Sequence, residues 1–221
     1  IFENEGLQNE VANSNKKLIL GYHGNKIHLH SIEKNLFEII RTLREDMEIE
    51  FWAIYNMIKL GTWNVPRDVR PNIRTFQYDP ETIYSQLVQM DIGLVPQSIP
   101  VTKNKLLRYL IGSVNHRYNE RHDNFIMRFK ETTNSGRAYV FGQAKVPVIC
   151  DLTPSSTALI GEDENGLLAH DYNSWLYHIR LMAENKNLRN LYANRLHTKT
   201  MSVITQMLEG DDFKHFLNGL R

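Results

Sequence analysis

Lys130-Glu131-Thr132-Thr133-Asn134-Ser135-Gly136-Arg137 sets a run of small polar residues between cations, just ahead of a helix-like stretch and Val146-Pro147-Val148-Ile149. Thr133, Asn134 or Ser135 can cap a helix started there, whose first-turn N–H groups point at whatever precedes them. A helix N-terminus flanked by Lys130 and Arg137 suits an anion, above all a diphosphate. Arg137 can grip phosphate oxygens through two parallel N–H bonds, whereas Lys130 supplies a point charge. A capped helix carrying two solvated cations accounts for the same residues, so the segment by itself leaves both readings open.

A second candidate is the loop Gly21-Tyr22-His23-Gly24-Asn25-Lys26, where two glycines let backbone approach a ligand closely. It is not G-x-G-x-x-G, so no dinucleotide fingerprint is present, and a tight turn is the plainer alternative. His23, His28 and His30 lack a carboxylate or cysteine partner at metal-ligand spacing, so neither a metal nor a cofactor is expected. Of the three, His23 is the one placed to touch a substrate. Covalent chemistry has little to work with. The chain contains no G-x-S-x-G and no G-x-x-x-x-G-K-[ST], which excludes a hydrolase elbow and a Walker loop. Cys150 ends an apolar strand and reads as an inert thiol. No catalytic residue is assigned.

The elements that must position these residues alternate. Lys17 to Tyr22 reads as a buried strand, and Ser31 is placed to cap an amphipathic helix whose Ile32, Leu36, Phe37, Ile39, Ile40 and Leu43 share one face. Ile49 to Tyr55 is the next strand, completing a βαβ unit and implying a parallel sheet. Strands follow at 72–76, 92–96, 146–150 and 166–169, with helices at 79–90, 136–144 and 154–160. From Ser174 helices dominate, broken near 185–187 and near Gly210. The fold class predicted is α/β, a Rossmann-like doubly wound parallel sheet with extra C-terminal helices, and such sheets take ligands at the carboxyl ends of their strands. Residues 1–16 read as a linker or entry segment, 17–195 as the domain, and 196–221 as a helical extension.

Composition narrows the classes further. The 221 residues suit one α/β domain with additions. Twenty-six Lys/Arg against 25 Asp/Glu, a formal +1, disfavour nucleic acid as a partner. That balance conceals a basic insertion at about 98–130, whose residues 101–130 hold seven Lys/Arg against Glu120 and Asp123. Such a segment attracts an anionic substrate or an anionic membrane surface, or is simply solvated. No run approaches the ~18 apolar residues of a membrane span, and a lone cysteine fits a reducing compartment. The start at Ile1, without an initiator methionine, suggests a piece of a longer protein.

Four segments in this order resemble the C-terminal, donor-binding domain of GT-B glycosyltransferases of the group 1 type. They are Ile19-Leu20-Gly21-Tyr22-His23-Gly24; Tyr84 to Pro96, ending Met90-Asp91-Ile92-Gly93-Leu94-Val95-Pro96; Asn134 to Ile149; and Glu164-Asn165-Gly166-Leu167-Leu168 before Trp175. The resemblance covers about residues 17–195. It implies one of two Rossmann-like GT-B domains, with a nucleotide-sugar donor as partner. Gly21, His23, Gly24, Lys26, Asn134, Ser135, Gly136 and Arg137 would face the donor diphosphate, and Lys130 would add charge. Base and ribose would lie beyond the strands ending at Tyr55 and Phe76, with Tyr78 as a stacking surface. Many retaining members carry two glutamates where this chain has Thr132 and Val140, with Glu131 one residue off register, so the stereochemistry stays open.

The resemblance further implies a cytoplasmic enzyme, peripheral at the inner face of the membrane if the basic segment meets lipid. It would transfer sugar to a glycan or lipid-linked acceptor in surface polysaccharide synthesis, such as that of lipopolysaccharide. Acceptor contacts and any catalytic base would belong to an N-terminal domain absent from this chain, leaving it inactive alone. The rival from another class is a non-catalytic α/β interaction or regulatory module that pairs with a separate catalytic half.

Overall fold

The computed structural model describes residues 17–97, 135–161 and 163–209. Lys130, Asn134, the entry segment and the basic insertion therefore lie outside the described residues. In chain order the elements are β1 (Leu18–His23), α1 (Ile27–Leu43), β2 (Ile49–Tyr55), the single turn α2 (Met57–Leu60), β3 (Ile73–Gln77), α3 (Ile83–Leu87) and β4 (Ile92–Val95). They continue as α4 (Gly136–Gln143), β5 (Val148–Asp151), α5 (Pro154–Leu159), β6 (Leu167–Ala169), α6 (Tyr172–Glu184) and α7 (Lys186–Glu209).

All six strands are parallel, in the order β3-β2-β1-β4-β5-β6. This is the doubly wound sheet the alternating pattern predicts. Every residue of β1 and β2 is buried, as expected for strands covered on both faces, which is why they read as runs rather than alternations. One face packs α1 and α6 over Leu20, Tyr22 and Phe51, with Trp175, Ile179 and Met182 supplied by α6. The other packs α3, α4, α5 and α7 over Ile19, Trp52, Ile54 and Val148 through Leu87, Phe141, Leu159 and Leu196.

Helix α1 begins at Ile27, four residues before Ser31, so Ser31 does not cap it. The Asn25 side-chain oxygen accepts the Ile27 N–H at 3.0 Å, while Ser31 bonds back to the His28 carbonyl from inside the helix. Early entry is favoured because buried Ile27 and Leu29 extend the apolar stripe by one turn.

The motifs of the second and fourth segments are scaffold devices. Asp91 extends the β1–β4 ladder: its carboxylate accepts the Ile19 N–H at 2.9 Å and its own N–H donates to the Ile19 carbonyl at 2.8 Å. Gly93 lies under the Phe141 ring, which comes within 2.8 Å of where a Cβ would stand. Asn165, buried, ties its loop by accepting from Gly161 N and donating to the Leu159 carbonyl. Gly93→Ala is expected to destabilise the fold by about 1–2 kcal/mol, the scale of one methyl forced into a packed core. An unchanged urea midpoint would refute that contact.

The division expected at 195/196 falls inside α7, which continues without interruption into the packed body. Leu196 and Thr200 are buried, and His197 Nδ1 donates to the Gly142 carbonyl at 2.9 Å. The break between α6 and α7 sits at Asn185, whose side chain accepts the Leu188 N–H. No helix among the described residues is long and apolar enough to cross a membrane.

Candidate functional site

From β1 the chain crosses to β2, and from β4 to β5, so the strand order reverses between β1 and β4. On a sheet of this kind a ligand usually lies at the carboxyl ends of the strands flanking that reversal. The loop after β1 and the start of α4 both meet there.

Arg137, the second residue of α4, joins them. Its side chain passes over Gly24, whose φ of +132° and absent Cβ make room: a Cβ there would stand 2.8 Å from Arg137 Cδ. Nη1 donates to the Tyr22 hydroxyl at 3.3 Å, and the guanidinium carbon lies 5.7 Å from the centre of the Tyr22 ring. The Tyr22 hydroxyl in turn donates to the Asn25 carbonyl at 2.6 Å. Burial pushes the Tyr22 phenol up to about 12, against the Arg137 charge and hydrogen bond, which lower it, so it stays protonated at neutral pH.

His23 approaches Arg137 from the opposite face of the sheet. Its Nε2–H donates to the Arg137 carbonyl at 3.1 Å, and its ring meets Phe141 edge-on with centroids 4.8 Å apart. Burial drives the imidazole down to about 4 despite the opposing hydrogen bond, so it is neutral near pH 7. His23 thus holds the start of α4.

The other residues singled out in the sequence take varied places. Gly21 lies within β1, where a Cβ would stand 1.9 Å from Met90 Sδ; it serves packing between β1 and the start of β4. Lys26 turns away along the sheet end, donating to the carbonyls of Leu60, Gly61 and Thr62, the last two at 3.1 and 3.3 Å. Burial lowers its pKa, and the three carbonyls take up an ammonium's three protons. Ser135 does not cap α4, because its hydroxyl donates to the Ser155 carbonyl. Gly136 opens the helix. Tyr78, half-exposed, follows β3, two strands from β1, and its N–H donates to the Tyr55 carbonyl at 2.9 Å. The structure therefore brings His23, Gly24, Ser135, Gly136 and Arg137 together and holds Lys26 and Tyr78 towards β2 and β3.

Sequence reasoning missed two contributors. Tyr22 is one, because a tyrosine in an apolar strand reads as core. The other is a polar network beyond β4 and β5. Buried Gln97 donates its N–H to Asp151 at 2.7 Å and accepts from the Thr153 and Ser155 hydroxyls at 2.8 and 2.6 Å. Ser155 then receives Ser135, so the network fixes the approach to α4. The readable signal was Thr153-Pro154, an N-cap followed by proline at the first helical position.

A neighbouring loop is tied as firmly. The Tyr55 hydroxyl accepts Trp63 N–H at 2.8 Å, and Glu33 accepts from Trp63 Nε1 at 3.1 Å and His30 Nδ1 at 3.0 Å. Burial raises the Glu33 pKa, but these two bonds and the nearby His30 charge outweigh it and hold the carboxyl below its usual range. Among the described residues no group of three His, Cys, Asp or Glu converges as a metal site would require.

No family model and no curated protein sequence matches the chain. Solved structures do. The C-terminal domain of LpcC, a glycosyl transferase group 1 family protein from Francisella tularensis, superposes with a TM-score of 0.54 at 13% identity, over 84% of this chain and 85% of that domain. WaaG, a glycosyltransferase involved in lipopolysaccharide biosynthesis, gives 0.54 at 12% identity, over 90% of this chain and 48% of WaaG. HepE of Anabaena, solved in complex with UDP, gives 0.55 at 9% identity, over 92% of this chain and 48% of HepE. The chain thus spans less than half the length of these last two. At such identities the likeness is one of fold, and the fold is that of a GT-B glycosyltransferase domain.

Proposed function

We propose that this chain is the donor-binding domain of a glycosyltransferase, moving sugar from a nucleotide-sugar to a glycan or lipid-linked acceptor in surface polysaccharide synthesis. The observation that carries the reading is Arg137, laid across Gly24 at the carboxyl end of β1 beside the first turn of α4. When the bond between the sugar and the diphosphate breaks, negative charge grows on the departing phosphate oxygen. The guanidinium and the positive end of α4 stabilise that charge in place, and Lys130 and Asn134 belong to the same grip. Base and ribose extend toward β2 and β3, with Tyr78 as a flat surface for the base. The UDP-bound state of HepE, which shares the fold, supports a nucleotide donor.

WaaG, named for lipopolysaccharide biosynthesis, supports the surface-polysaccharide setting. Acceptor contacts and a catalytic base are assigned to a second domain, so the chain alone binds donor without completing transfer. The setting proposed is cytoplasmic, with 101–130 against anionic lipid. A thermal-shift panel of UDP, GDP and ADP tests the reading. A nucleotide at 100 times its Kd stabilises the folded state by about 2.7 kcal/mol, a rise of several degrees. No shift with any of the three would favour a non-catalytic interaction module instead.

A further inference from the structure

Resting on the reading of Arg137 as a diphosphate ligand, we propose that Tyr22 and His23 are positioning residues that clamp Arg137 from opposite faces of the sheet. Consecutive strand residues point to opposite sides. Tyr22 accordingly sits in the core beneath α1 and α6, and His23 in the layer against Phe141 of α4. Both nevertheless end on one residue. His23 holds Arg137 at its backbone carbonyl, Tyr22 holds the guanidinium, and Gly24 leaves the gap through which the side chain passes between them. The arginine is thereby laid over the carboxyl end of β1 from one face to the other.

Tyr22 has a hydroxyl on that path, which a phenylalanine of equal packing value would lack. The hydroxyl is oriented, too: donating to the Asn25 carbonyl leaves its oxygen lone pairs to accept from Nη1. A guanidinium parked in place before ligand arrives has less rotamer freedom to lose on binding. The clamp therefore acts on affinity through Arg137, without Tyr22 or His23 touching ligand.

The test uses calorimetry with whichever of UDP, GDP and ADP binds tightest. Tyr22→Phe is expected to weaken binding about 3- to 10-fold with little change in Tm, whereas adding it to Arg137→Ala causes no further loss. In protein labelled with 15N-arginine, the Arg137 Nη resonances should show hindered rotation in the wild type and averaging in Tyr22→Phe. Wild-type affinity in Tyr22→Phe, full additivity in the double variant, or averaged Nη resonances in the unmutated protein would each overturn the clamp. The two readings separate cleanly. If Arg137→Ala binds nucleotide as wild type does, the donor site itself fails. If Arg137→Ala weakens binding and Tyr22→Phe does not, only the clamp fails.

Discussion

Arg137→Ala weakens nucleoside diphosphate binding by about 1.5–3 kcal/mol, the range for a charge-assisted hydrogen bond, or roughly 10- to 150-fold in Kd. The size of the effect follows from the surroundings. Among the described residues, Arg137 is the cation that reaches the carboxyl end of β1, since Lys26 is turned onto the carbonyls of residues 60–62. Truncation also removes the group threaded over Gly24 while leaving α4 intact, because Ala138 and Phe141, not Arg137, anchor that helix in the core. Calorimetry with UDP, GDP and ADP on both proteins measures the loss directly. Equal affinities would remove Arg137 from the site. Lys26→Ala, by contrast, should act mainly through the loop after α2.

Acidification provides the second large effect, and it comes from His23. An unfolded histidine titrates near 6.5, while burial holds the folded one at about 4. The unfolded chain therefore binds the proton first, and stability falls as pH drops from about 6.5 toward 4. The contribution is complete above the unfolded pKa. Integrated over that window, the lowered pKa corresponds to about 3 kcal/mol. His23→Gln keeps a side-chain N–H for the Arg137 carbonyl and cannot titrate. Urea midpoints of the wild type should drop steeply between pH 6.5 and 4.5, and those of His23→Gln should drop less, keeping only the loss from other histidines lowered by burial, such as His178. The carboxylates held low at Glu33, Asp68 and Asp171 add their loss at more acid pH in both proteins, so the difference isolates His23. Parallel curves would show that His23 is solvated rather than buried.

The two effects have opposite histories of legibility. Arg137 stood out in the sequence because cation, small polar residues and helix start are contiguous there, and contiguous residues share a local geometry that needs no fold to predict. His23 stood out for its loop and not for the partner it holds. Its place in a glycine loop suggested contact with a substrate, yet its hydrogen bond reaches Arg137, 114 positions away. No local pattern encodes that pairing.

Several motifs that carried the family resemblance prove to be structural. Asp91 completes a ladder, Gly93 admits Phe141, and Asn165 ties a loop. They repeat in one order because the sheet must be assembled in one order, which explains how they identify a fold without identifying a ligand. Ser31 misled for a related reason. A serine ahead of an apolar stripe looks like a cap, but the stripe begins at Ile27, where burial of Ile27 and Leu29 outweighs one side-chain bond.

The sequence by itself determined the alternation of strands and helices, the parallel sheet, and the strand ends where a ligand could lie. Apolar periodicity and glycine placement act over a few residues, so they are readable along the chain. Tertiary structure alone decided which of the candidate residues meet. It set Arg137 across Gly24 between Tyr22 and His23, turned Lys26 toward α2, and carried α7 past residue 196 onto α4. Those outcomes depend on how strands distant in sequence pair, and on what the packed layers leave open at the end of β1.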